Sequence, residues 1–189
     1  MANNIESYDV NFKESVERFL KGENFQKILN FYLWDGPIKG SSTKGNDFAF
    51  YGIEKQTVIN LKTQMLEKAT LSLRDNFEPC ARVCDVESKL ENMNSVIPPN
   101  EFCVFLAGSE SVRKIFTHIR NAFAHGWFHI IQYSDVRIYI FENNYQKRKA
   151  KMALRESTLL GWIDCVRGFN KPKQGQETAE KETVSEIVG

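Results

Sequence analysis

The segment from Ile115 to His129, IFTHIRNAFAHGWFH, carries the most informative secondary-structure pattern of this chain. Its first part keeps apolar side chains at helical spacing, and Gly126 is the residue type that closes a helix in the left-handed conformation. The β-branched and aromatic residues after Gly126 are typical of a strand. The segment therefore predicts a helix that ends near His125 and is followed at once by a strand.

An ideal helix over residues 112–125, turning about 100° per residue, separates an apolar face from a polar strip. We expect the apolar face to pack inward, and it consists of Val112, Ile115, Phe116, Ile119, Ala122 and Phe123. The polar strip holds Arg113, Thr117, His118, Arg120, Asn121, Ala124 and His125. Its small residues, Thr117 and Ala124, would let the same helix of a second copy approach closely. The strip therefore predicts a homodimer formed through this helix.

The polar strip carries side chains suited to RNA cleavage without a metal. The His125 imidazole can take and return a proton near neutral pH, and the Arg120 guanidinium presents a fixed set of donors to phosphate oxygens. Asn121 adds a neutral donor and acceptor. The alternative is structural: His125 would interact only with the last carbonyls of its helix, and Arg120 would form a weak surface ion pair. The combination of the three residues favours the catalytic interpretation.

The run Arg120-Asn121-Ala122-Phe123-Ala124-His125, followed by glycine, resembles the RNxxxH signature of the HEPN superfamily. Members of that superfamily are helical-bundle domains that dimerise so that two motifs face one cleft, and many are metal-independent endoribonucleases of toxin and antiphage systems. The resemblance implies catalytic roles for Arg120 and His125, with Asn121 supporting or orienting them. One departure is Trp127, which replaces the tyrosine found two residues after the histidine in toxins paired with a nucleotidyltransferase antitoxin.

Other residues are candidates for contacts with RNA. Arg113 and His118 lie one heptad before the two motif residues and could line the same cleft, although a solvated edge would explain both. The run QKRKAKMALR is the densest positive patch of the chain, and from it we assign RNA binding to Lys147, Arg148 and Lys149. Such a patch is more often only a solvated helix face. The aromatic residues Trp127, Tyr133 and Tyr139 could stack on bases or, alternatively, cover the core.

These features predict a homodimeric endoribonuclease that uses attack by the 2′-hydroxyl to leave a 2′,3′-cyclic phosphate, and the resemblance to the HEPN superfamily implies a toxin or antiphage effector. Its partners would be RNA, a second copy, and an antitoxin or sensor protein, and it would need no cofactor or metal. The alternative function is a noncatalytic nucleotide-binding, RNA-binding or dimerisation module. Turnover of RNA separates the two functions, whereas dimerisation does not.

For the whole chain we predict a mainly helical, HEPN-like bundle with one small β-hairpin after the motif helix. Helical patterns cover Asp9 to Leu20, a segment from Glu23, Phe48 to Phe77, Cys80 to Met93, and Tyr145 to Arg167. The run EFCVFLAG is compatible with a strand or a short buried helix, and Ser134-Asp135 is the expected turn of the hairpin. Residues 1–170 are expected to form one domain, with a disordered polar tail over 171–189. The segment Gly36 to Asp47 is a candidate insertion or lid.

Composition limits the other functions. The 25 lysines and arginines against 24 acids give a formal charge of +1, so no global field attracts nucleic acid and any RNA contact must be local. The four cysteines show no CxxC spacing, and buried thiols are favoured over a zinc site at Cys80 and Cys84. No signal peptide or membrane-spanning run is visible, which predicts a cytoplasmic protein without membrane contact.

Overall fold

A computed structural model of the chain describes residues 21–38, 46–93, 100–108, 111–144 and 146–169. The helices are α1 Glu23–Asn30, which continues as a wider π-helical turn over Phe31–Asp35, α2 Val58–Glu67, α3 Leu71–Asp75, α4 Val83–Asn92, α5 Ser111–His125 and α6 Glu156–Gly168. Short 3₁₀ turns span Phe48–Tyr51 and Lys55–Thr57. The strands are β1 Phe77–Cys80, β2 Phe102–Leu106, β3 Phe128–Tyr133, β4 Val136–Asn143 and β5 Ala150–Arg155.

The five strands form one mixed sheet in the order β1-β2-β5-β4-β3. Strands β1 and β2 are parallel, and every other neighbouring pair is antiparallel. The parallel pair is connected through α4, since parallel neighbours need a crossover rather than a tight turn. Consequently, one end of the sheet holds the last residues of β2 and β4 and the first residues of β3 and β5.

The two faces of the sheet are covered unequally. Helices α1, α2, α5 and α6 bury one face in the main core, to which the sheet contributes Cys103, Phe105, Tyr139, Phe141, Ala150, Met152 and Leu154. The opposite face meets α4 through Val86 and Leu90 over a smaller cluster that includes Val104, Ile138 and Ala153. Because α4 packs mainly on β1 and β2, the outer strands of this second face remain more exposed.

Helix α5 has the inward face that the sequence predicts. Val112, Ile115, Phe116, Ile119, Ala122 and Phe123 are all buried. Phe116 packs within 6.3 Å, centroid to centroid, of Phe31, Tyr32 and Phe48. This aromatic cluster holds α5 between the sheet and the turn that follows α1.

The predicted mainly helical bundle is wrong, because the chain forms an α/β fold around a five-stranded sheet. The hairpin of β3 and β4 is confirmed, with its turn at Ser134 and Asp135, but it is one edge of that sheet and not an isolated addition. The ambiguous run EFCVFLAG is a central strand, β2, with Phe102 to Phe105 all buried. A short run that is apolar on both faces fits either a buried strand or a buried helix, and the pairing with β1 and β5 decides between them.

The predicted helix from Tyr145 to Arg167 is wrong in its first part. Residues Ala150–Arg155 form β5, and helix α6 begins only at Glu156. The sequence AKMALR has high helix propensity, but both neighbours of β5 supply a hydrogen-bonded strand and bury its Met152 and Leu154. Local propensity is a weak preference that such tertiary pairing overrides.

The long helical pattern from Phe48 to Phe77 is broken into two 3₁₀ turns and the helices α2 and α3. Cys80 ends β1, so the helix predicted from Cys80 to Met93 begins only at Val83. All four cysteines are free, and only Cys84 is exposed. The predicted helix over Asp9 to Leu20, the tail 171–189 and most of the Gly36 to Asp47 segment lie outside the described residues.

Candidate functional site

The C-terminal end of α5 is closed by a Schellman motif. Gly126 has a φ of +69°, the Trp127 N–H donates to the Ala122 carbonyl at 2.8 Å, and the Gly126 N–H donates to that of Phe123 at 3.3 Å. The predicted role of Gly126 is confirmed. The motif turns the chain directly from His125 into β3, and just before this strand the Trp127 carbonyl accepts from the Glu142 N–H at 2.9 Å.

Arg120 and Asn121 are joined to each other one turn before this end. The Arg120 Nη1 donates to the Asn121 Oδ1 at 3.1 Å, so the amide oxygen orients the guanidinium. The Arg120 Nε is buried and has no hydrogen-bond partner among the residues that the structure describes. Both side chains are half-buried. The pair therefore presents a positioned guanidinium that retains donor capacity for a ligand.

His125 is exposed at the last position of α5. Its imidazole stacks on the Trp127 indole with ring centroids 4.8 Å apart and an interplanar angle of 28°. Trp127 itself packs partly against the main core, which gives the imidazole a fixed support. His125 is thus the accessible imidazole of α5.

His118 occupies a different environment from the one considered for an RNA contact. It is buried at 5% exposure, and its Nε2 lies 3.0 Å from the Leu106 carbonyl oxygen while its Nδ1 lies 2.9 Å from the Asn143 Nδ2. Burial lowers the pKa of His118 to about 4, with smaller contributions in the same direction from Lys114 and Lys149. This histidine holds α5 to the ends of β2 and β4 and does not reach the exposed strip.

Arg113 lies near the other end of α5. Its Nη2 donates to the Asp47 Oδ1 at 3.0 Å, and its guanidinium lies 5.4 Å from the Phe48 ring centroid. The ion pair attaches α5 to the 3₁₀ turn of residues 48–51. Arg113 therefore has a structural role in this chain whether or not it also contacts a ligand.

The basic run lies in the loop between the end of β4 at Asn143 and the start of β5 at Ala150, and not on a helix. Lys147 and Arg148 are exposed and, together with Lys151, form one wall of a groove of about 780 Å³ on the second face of the sheet. Glu87 and Glu91 of α4 line this groove too. Lys149 is half-buried and lies close enough to His118 to lower its pKa.

The structure thus places Arg120, Asn121 and His125 on the last two turns of α5, whereas His118 and Arg113 have partners elsewhere. Lys147, Arg148 and Lys149 extend from the end of the sheet at which α5 contacts Leu106 and Asn143. The sequence did not reveal that Asn143 bonds to His118, since the two residues are 25 positions apart and meet only through the sheet.

The described residues contain neither a metal-binding cluster nor a membrane-spanning helix. No group of three or more His, Cys, Asp or Glu side chains there is arranged to hold a metal ion. No helix within the same residues has the length and apolar character needed to cross a membrane.

Comparison with known proteins found no family, no curated protein and no solved structure that matches this chain.

Proposed function

We propose that this chain is a metal-independent endoribonuclease that acts as a homodimer, with its active centre at the C-terminal end of α5. The observation that carries this function is the exposed His125, stacked on Trp127, on the same two turns as an Arg120 oriented by Asn121. Support comes from this helix alone, because the helical bundle expected from the superfamily is absent from the described residues.

The chemistry follows from these side chains. The neutral His125 imidazole would accept the proton of a ribose 2′-hydroxyl as its oxygen attacks the adjacent phosphorus, and the bond to the 5′-oxygen would break to leave a 2′,3′-cyclic phosphate. Arg120 would stabilise the negative charge that develops on the phosphoryl oxygens. Asn121 would act as a positioning residue for Arg120, through the bond between its Oδ1 and the guanidinium.

The leaving 5′-oxygen needs a proton from a second acid. His118 cannot supply it, because its ring is buried and both of its nitrogens have partners. A second copy of α5, laid against the first through Thr117 and Ala124, would bring a second His125 to the same cleft. RNA would be the substrate, with Lys147, Arg148 and Lys149 contacting its backbone. A role as a toxin or antiphage effector, regulated by an antitoxin or a sensor protein, follows from the superfamily resemblance alone.

The second candidate function is a noncatalytic RNA-binding or nucleotide-binding module. It is favoured by the burial of His118, because helix α5 of a single chain then offers one accessible imidazole, that of His125. A module of this kind would bind RNA saturably and release no product.

The test is cleavage of a mixed RNA pool by the purified protein in the presence of a metal chelator, with the product ends identified. Cyclic phosphate ends from the parent protein, lost in Arg120→Ala and His125→Ala, are expected. His129→Ala and Arg82→Ala are matched controls, since both side chains are exposed and lie outside the motif. Intact RNA with saturable binding would favour the module, and full activity in His125→Ala would exclude the proposed centre.

A further inference from the structure

Within the part of the chain that the structure describes, strand β3 is an edge of the sheet without the features that usually protect edges. It has six residues, no proline and no formally charged side chain, and it pairs with β4 over its whole length without a bulge. The opposite edge, β1, has only four residues and includes Pro79. Natural proteins protect edges with short strands, proline, charges or bulges, because an open edge is a template for another strand.

The direction of the free backbone groups on β3 follows from one hydrogen bond. The Glu142 N–H donates to the Trp127 carbonyl, so these two residues form a hydrogen-bonded pair. Hydrogen-bonded and non-hydrogen-bonded pairs alternate along an antiparallel ladder. The N–H and C=O groups of Phe128, Ile130 and Gln132 therefore point away from β4, toward the open side of the strand.

We propose that β3 pairs antiparallel with β3 of a second copy of this chain, which joins the two sheets into one continuous sheet. A two-fold axis at Ile130 pairs all the outward groups, with Ile130 opposite itself and Phe128 opposite Gln132. Side chains of the second sheet face then meet across the axis. There Ile131 and Tyr133 are 38% and 49% exposed, so the contact covers apolar surface on both copies.

The groups at the two ends of β3 complement each other in a symmetric pair, which favours a second copy as the occupant. Self-pairing places no like charges opposite each other, because β3 carries none. The register sets the partner's Tyr133 opposite Trp127, on which His125 stacks. Beyond it, the partner's Asp135 brings a carboxylate toward the end of α5, where His125 lies. The second copy would thus add an aromatic ring and a carboxylate beside the proposed active centre.

This contact is distinct from the one expected between two α5 helices, and it does not depend on ribonuclease activity. Pairing through β3 sets the two motifs at opposite ends of the paired strands, whereas pairing through α5 brings them together. If both contacts form, each chain has two neighbours and the assembly is larger than a dimer. In a closed assembly, loss of the β3 contact halves the mass, either from dimer to monomer or from tetramer to dimer.

The decisive variant is Gln132→Pro, with Gln132→Ala as its matched control. Proline removes an N–H that points outward and that β4 does not use, so it is tolerated on an edge strand while it blocks the intermolecular ladder. Both substitutions also remove the hydrogen bond from the Gln132 side chain to the Ser134 carbonyl, so the comparison isolates the backbone. We expect light scattering to give half the parental mass for Gln132→Pro and the parental mass for Gln132→Ala.

Hydrogen exchange of the purified protein locates the contact. The amides of Phe128, Ile130 and Gln132 should become protected as protein concentration rises.

If Gln132→Pro does not fold, Ile131→Lys tests the contact instead, with Ile59→Lys on the exposed face of α2 as its control. The strand variant alone should raise the dissociation constant at least about tenfold. A monomeric parent, or a mass unchanged by both strand variants, would overturn the β3 contact regardless of whether RNA is cleaved.

Discussion

The side-chain amide of Asn143 donates to the Nδ1 of His118 at 2.9 Å, while the His118 Nε2–H donates to the carbonyl of Leu106 at 3.0 Å. The two bonds fix the neutral form of the ring with its proton on Nε2. They attach the middle of α5 to the ends of β4 and β2. The position of the motif on the last turns of this helix therefore depends on an uncharged histidine.

His118 should make the stability of the protein depend on pH. Its pKa is lowered from 6.5 to about 4 by burial, so the unfolded state binds its proton first as the pH falls. The contribution is fully present above pH 6.5 and is lost progressively between pH 6.5 and pH 4, by about 3 kcal/mol in total. Denaturant unfolding across this pH range measures the slope of the free energy of unfolding against pH.

The control for this titration is His118→Asn, which keeps a polar side chain but does not titrate. Its free energy of unfolding should be lower at pH 7 and should show a smaller slope below pH 6.5 than the parent. His129→Ala is the second control, because it removes an exposed histidine that takes no part in the contact with Leu106 and Asn143. Equal slopes in the parent and His118→Asn would contradict the assignment.

Gly126→Ala should destabilise the protein by about 1 kcal/mol. No atom lies within 4 Å of an added Cβ, so the cost comes only from forcing alanine to a φ of +69°. Gly168, at the end of α6, has equally open surroundings and no positive φ. Gly168→Ala should therefore be neutral or slightly stabilising in the same thermal unfolding experiment, and an equal loss in both variants would exclude backbone strain as the cause.

Glu101→Ala should cost roughly 3 kcal/mol of folding free energy. The Glu101 carboxylate is fully buried and accepts hydrogen bonds from the Thr70 hydroxyl and the Arg155 N–H, both at 2.6 Å. Its removal leaves these donors unpaired between α3, β2 and β5. Glu87→Ala, on the exposed side of α4, should stay within about 0.5 kcal/mol in the same denaturant titration.

The double variant Lys147→Ala/Arg148→Ala should weaken binding of single-stranded RNA and make it less sensitive to salt. Two lost phosphate contacts should reduce the slope of log affinity against log salt by about 1.4. Lys55→Ala/Lys68→Ala removes the same charge from exposed positions elsewhere. Fluorescence anisotropy on a His125→Ala background measures binding without cleavage, and equal slopes for the two double variants would exclude a role of the β4–β5 connection.

The sequence determined helix α5 almost completely. Its apolar spacing predicted six of its seven buried residues, all except His118, and Gly126 predicted its end, because both signals depend only on neighbours within a few turns. The same is true of the hairpin turn at Ser134 and Asp135. The sequence also identified the candidate residues Arg120, Asn121 and His125, because all three lie on this one helix.

Only the tertiary structure decided that the chain forms a sheet and which histidine is accessible. The sequence of β5 favours a helix, and it becomes a strand because β2 and β4 pair with its two edges. His118 and His125 lie on the same side of an ideal helix, yet one is buried against Leu106 and Asn143 and the other is exposed. Helical spacing places a side chain around an axis, but contacts with distant strands determine whether water reaches it.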